Sequence, residues 1–121
     1  MSICYLNGNF VELSKASISP LDRGFLFGDS VYEVFAAYEK NLFRLDDHME
    51  RLKKNLESLS INMTLENSEI KSILQKVCEK NPEENQIIYL QISRGAEAIR
   101  NHIPIKETQP TIFICSFELK N

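Results

Sequence analysis

Arg100 and His102, two residues apart, are the first pair in this sequence whose types and spacing point to chemistry. In an extended stretch, residues i and i+2 project to the same side, so the two can converge on one anionic group. Arginine would clamp a carboxylate with its fork of donors, and histidine would add a hydrogen bond. Arg51 is a second candidate, because a planar guanidinium matches the spacing of phosphate oxygens. It lies well off the apolar stripe of the helix that carries it, so it is not a core-facing stem. On its own residues alone, a solvated surface arginine is the commoner reading of such a position. Tyr32 and Glu33 are neighbours on a strand and so face opposite sides. Taken alone, Tyr32 reads as a packed aromatic with its hydroxyl at the rim. His48 sits near a helix start, where it can hydrogen-bond locally. His48 and His102 are the only histidines, and no cluster with cysteines or carboxylates has metal-ligand spacing.

The elements that position these residues follow from pattern. Ile3 to Tyr5 and Phe10 to Leu13 flank Leu6-Asn7-Gly8-Asn9 and predict a short hairpin. Ser19 to Gly24 reads as irregular, and Gly28-Asp29 as the turn that lets the next strand begin. Val31 to Tyr38 is β-branched and aromatic, and after the break at Glu39-Lys40-Asn41 the run Leu42 to Leu45 reads as its partner strand. The period then changes. Met49, Leu52, Leu56 and Leu59 form one helical stripe ending near Ser60, with Asp46 or Asp47 as cap and Glu50 in the capping-box position. Asn67 or Ser68 starts a second helix, with Ile70, Ile73, Leu74, Val77 and Cys78 on one side and Asn81-Pro82 as its stop. Gln86 to Ser93 and Thr111 to Leu119 are strand-length and apolar. Arg94 to Pro110, between them, reads as a long loop of the kind that tends to be functional. Arg94 itself reads as a strand-end arginine with a structural ion-pair partner. The expected fold is α+β: a mostly antiparallel sheet with two helices packed on one face.

Composition sets the outer limits. The 121 residues suit one domain with one core, and 43% hydrophobic with 26% charged is ordinary for a globular chain. The net charge of -3 argues against nucleic-acid binding, which needs a basic footprint. No apolar run is long enough to span a membrane, and the first ten residues lack a basic n-region. Cys4, Cys78 and Cys115 are odd in number, far apart and set among apolar neighbours, so they read as reduced core residues of a cytoplasmic protein.

Four motifs in order go further. Leu21 to Val34 (LDRGFLFGDSVYEV) resembles the signature opening of the fold-type IV pyridoxal-phosphate enzymes, the class IV aminotransferases. Asp47 to Leu52 (DHMERL) is similar to that group's helix start, and Ile88 to Gly95 (IYLQISRG) to its later strand. Arg100-Asn101-His102 resembles the Arg-x-His element of the D-amino-acid (D-alanine) aminotransferase branch.

The resemblance implies that residues 1–121 are the N-terminal small domain of such an enzyme. Arg51 would hold the phosphate of pyridoxal 5'-phosphate. Tyr32, Arg100 and His102 would bind the substrate α-carboxylate, with Arg100 and His102 serving the site of the other subunit in a homodimer. The implied reaction moves an amino group from D-alanine to 2-oxoglutarate, giving pyruvate and D-glutamate. It also implies a Schiff-base lysine in a C-terminal domain beyond Asn121. None of Lys15, Lys40, Lys53, Lys54, Lys71, Lys76, Lys80, Lys106 and Lys120 sits in a matching motif, so this chain alone is expected to be inactive. The alternatives are aminodeoxychorismate lyase, a branched-chain aminotransferase, or a non-catalytic binding or assembly module.

Overall fold

The computed structural model describes residues 2–105 and 108–120. Lys106 and Glu107, inside the stretch expected to be a loop, lie outside the described residues, as do Met1 and Asn121. Strands β1 (Ile3–Leu6) and β2 (Asn9–Glu12) form the expected hairpin. A short helix α1 (Arg23–Phe27) precedes β3 (Ser30–Tyr38) and β4 (Asn41–Leu42). Helices α2 (Leu45–Ser58) and α3 (Asn67–Lys80) follow, then β5 (Gln86–Ser93) and β6 (Thr111–Glu118). The six strands form one antiparallel sheet in the order β2-β1-β6-β5-β3-β4.

Alternation decides which side of the sheet is covered. Val31, Phe35 and Ala37 of β3 and Ile88, Leu90 and Ile92 of β5 are buried on the side where α2 and α3 lie. Met49, Leu52 and Leu56 of α2 and Ile70, Leu74 and Val77 of α3 complete that core. The opposite side carries Tyr32, Val34 and Tyr38 exposed. The fold is therefore the α+β arrangement expected. Cys4, Cys78 and Cys115 are free and buried, and burial pushes the Cys115 thiol up to about 11.

Three expectations need correction. The segment read as irregular up to Gly24 holds the start of α1. Asp22 caps it, its Oδ1 accepting from the Gly24 N–H at 2.8 Å, and Gly28 ends it in the left-handed region at φ 65°. The partner strand read as Leu42 to Leu45 is only Asn41–Leu42, because Arg44 turns the chain at φ 54° and α2 begins at Leu45. Asp46 and Asp47 do not cap α2. They lie inside its first turn, where Asp46 pairs with Lys71 of α3 and Asp47 with Arg44, and where negative charge suits the helix dipole.

The loop after β5 is closed by a tight approach. Gly95 sits at φ 107°, and a Cβ there would collide with the backbone carbonyl of Gln109.

Candidate active site

Glu33 organises the first cluster. It faces the helix side of β3 and is 2% exposed, whereas its neighbour Tyr32 is 63% exposed on the open side. A buried carboxylate is costly unless charged donors meet it, and α2 supplies two. Arg51 donates from Nε to Oε2 and from Nη2 to Oε1, each at 2.8 Å. His48, one turn earlier on the same helix, places Nδ1 2.8 Å from Oε1. Burial pushes the Glu33 carboxyl up, but the bonds and charges of Arg51 and His48 outweigh it and hold the group below its ordinary range. Hydrogen bonding to Glu33, then its charge, pushes Arg51 up.

The Arg51 side chain is nonetheless 64% exposed, and its Nη1 has no hydrogen-bond partner among the described residues. Arg51, His48, Arg44 and Asp47 line a cavity of about 200 Å³. Arg51 is thus an oriented cation at the mouth of a small concavity, as anion binding requires. His48, read from the sequence as a local partner, instead reaches across to β3.

Arg100 and His102 do not alternate along a strand; each instead lies against the same aromatic ring. The chain bends at residues 98–103, and the common ground is the Phe27 ring. The Arg100 guanidinium lies 5.0 Å from its centroid, and the His102 ring meets it edge-on at 6.1 Å and 62°. Both residues are exposed. Tyr32 is not part of this group within the chain; it stacks on Tyr89 at 5.8 Å. The Tyr89 hydroxyl donates to Gln91 at 2.8 Å, and Gln91 donates to Ser30 at 3.1 Å, so a polar row runs along the open face beside Tyr32.

A third cluster was not legible as such. Arg94 donates to Asp29 from Nε at 2.6 Å and from Nη2 at 3.2 Å, the ion-pair partner expected for it. It also donates to the Leu59 and Ser60 carbonyls, which satisfies the end of α2. Asp29 takes Arg23 as well, at 3.1 Å. Among the described residues no three histidine, cysteine or carboxylate groups could hold a metal ion, and no helix is long and apolar enough to cross a membrane.

Residues 30–121 match the family model described as amino-transferase class IV. The chain belongs to that family. D-alanine aminotransferase from Staphylococcus aureus (strain MSSA476) is 35% identical over 113 residues, covering 93% of this chain and 40% of the relative. The D-alanine aminotransferase of Bacillus licheniformis is 38% identical over 96 residues, covering 79% of this chain and 34% of that protein. The chain therefore spans well under half the length of the relatives it matches. A T.th. branched-chain amino acid aminotransferase, solved with pyridoxamine 5'-phosphate, superimposes with a TM-score of 0.90 at 23% identity, over 99% of this chain and 40% of that one. The Escherichia coli branched-chain enzyme gives 0.90 at 20% identity, over 98% and 41%. At these identities the two structures establish the class IV small-domain fold and nothing finer.

Class IV aminotransferases are pyridoxal-phosphate enzymes, and the residues present fit that cofactor's phosphate. Arg51 is fixed by a buried carboxylate, keeps an outward donor, and lines a cavity of about 200 Å³ with room for a phosphate group. Asp47 in the same cavity is already engaged by Arg44 at 2.9 Å, which mutes its repulsion of an anion.

Proposed function

We propose that this chain is the N-terminal domain of a D-amino-acid aminotransferase, acting on D-alanine and 2-oxoglutarate to give pyruvate and D-glutamate. The observation that carries the reading is that Arg100 and His102, both exposed on one short bend, lie against the same Phe27 ring. The D-alanine aminotransferases at 35% and 38% identity support it. The branched-chain enzymes share the architecture, so the fold does not choose between the two substrate classes.

In this reading the bound cofactor supplies an electron sink for the substrate's α-carbon. The chain's own residues do the holding. Arg51, oriented by Glu33, binds the cofactor phosphate. Arg100 and His102 bind the substrate α-carboxylate, together with the Tyr32 hydroxyl of the opposing subunit's open face, in a homodimer. The Tyr32–Tyr89 stack keeps that hydroxyl at a defined height above the sheet. The chain spans 40% of the D-alanine aminotransferase it matches, and the reading assigns the cofactor-bonding lysine to the remainder of such an enzyme. Three free buried thiols fit a reducing, cytoplasmic setting.

The test is an assay of the enzyme carrying this chain with D-alanine, L-alanine and L-leucine as amino donors to 2-oxoglutarate. D-alanine should give the highest kcat/KM. A preference for L-leucine would replace this reading with the branched-chain one.

A further inference from the structure

Arg23 is 4% exposed, and α1 places it where each of its nitrogens is used. Nε donates to Asp29 at 3.1 Å and Nη1 to Glu97 at 3.1 Å. The other two bonds go to backbone: Nη1 donates to the Asn101 carbonyl, and Nη2 to the His102 carbonyl at 2.9 Å. Glu97 in turn accepts from the Ile105 N–H and, at 3.0 Å, from the Thr108 hydroxyl. The cluster of Arg23, Arg94, Asp29 and Glu97 balances two charges of each sign, so its burial is compensated.

The two carbonyls that Arg23 meets lie in the bend itself. They belong to His102 and to the residue between it and Arg100. One helical turn after Arg23, Phe27 carries the ring on which Arg100 and His102 rest, and the Arg23 guanidinium lies 4.5 Å from that same ring. One short helix therefore grips the bend by its backbone and seats both of its functional side chains.

We propose that Arg23, with Phe27, is the positioning residue of the carboxylate trap, fixing the aim of Arg100 and His102 without touching substrate. This rests on the reading of Arg100 and His102 as substrate-binding groups. Its physical basis is that a small displacement of a binding group is enough to lose much of its effect. Lysine in place of Arg23 keeps one charge but cannot fork across two carboxylates and two carbonyls.

Two measurements on Arg23→Lys, Glu97→Gln and Phe27→Leu test it. In the holoenzyme carrying this chain, Arg23→Lys should raise KM for D-alanine about tenfold with a smaller fall in kcat and cofactor content as in the wild type. Phe27→Leu should move KM the same way. A general loss of structure would instead lower cofactor content and kcat together. Unchanged KM in Arg23→Lys, in an enzyme where Arg100→Ala does raise it, overturns the positioning role. If Arg100→Ala leaves KM unchanged, the trap itself is wrong, and hydrogen exchange on the intact chain then judges the clamp alone. Faster exchange confined to residues 98–105 in Arg23→Lys and Glu97→Gln, with β3 and β5 still protected, supports it. Wild-type protection of that bend in both variants overturns it.

Discussion

Glu33 on β3 and Arg51 on α2 meet through two hydrogen bonds of 2.8 Å, the carboxylate buried and the guanidinium open. The anion is thus spent inside the fold to aim a cation outward. Glu33→Gln should keep the shape and lose the charge that orients Arg51. Pyridoxal-phosphate affinity should fall by roughly tenfold, measured by titrating cofactor fluorescence. Unchanged affinity would mean Arg51 needs no such support.

Glu33 and Asp29, each held by arginine, set an acid limit on stability. Burial pushes Asp29 and Glu33 up, and the arginines beside each outweigh it, so both carboxyls lie below their ordinary values when folded. A depressed folded pKa contributes stability above the unfolded value and loses it as pH falls through the folded one. The melting temperature should hold from neutrality to roughly pH 5 and fall below roughly pH 4. Asp29→Asn should lower stability at neutral pH and flatten that acid fall; an equally steep fall would remove Asp29 from the account.

Gly95 offers a test of how tightly the Arg94–Pro110 loop is closed. Gly95→Ala places a Cβ against the Gln109 carbonyl at a φ of 107°. The expected cost is about 1–3 kcal/mol, read as a lower denaturation midpoint. A neutral substitution would show that the loop shifts freely.

Much of the fold was legible because its signals are local. The β-branched and aromatic runs of β3, β5 and β6 and the Ile70/Leu74/Val77 stripe of α3 each declare their period within a few residues. Arg51 and the Arg100–His102 pair stood out as candidates through motif and type. Helix α1 was not, since five residues are too few to show a 3.6 period, although Asp22 and Gly28 are recognisable cap residues. The missed parts of the site are those whose partners are distant in sequence. Arg23 meets Glu97, Asn101 and His102 across 74, 78 and 79 positions, and Glu33 meets Arg51 across 18. Such pairs exist only once the sheet has placed β3 beside β5 and beneath α2.

The isolated 121 residues should bind pyridoxal phosphate weakly and reversibly through Arg51. Borohydride treatment followed by mass analysis should leave no stoichiometric adduct on one lysine. Such an adduct would locate the cofactor-bonding lysine inside this chain and contradict the expectation of a second domain.

Arg51 and Arg100 divide the work between cofactor and substrate, and one set of kinetics tests that division. In the enzyme carrying this chain, Arg100→Ala should lower kcat/KM for D-alanine by roughly tenfold to a hundredfold while cofactor content stays near normal. Arg51→Ala should do the reverse, losing cofactor first and activity in consequence. Unchanged D-alanine kinetics in Arg100→Ala would mean that Arg100 does not hold the substrate carboxylate.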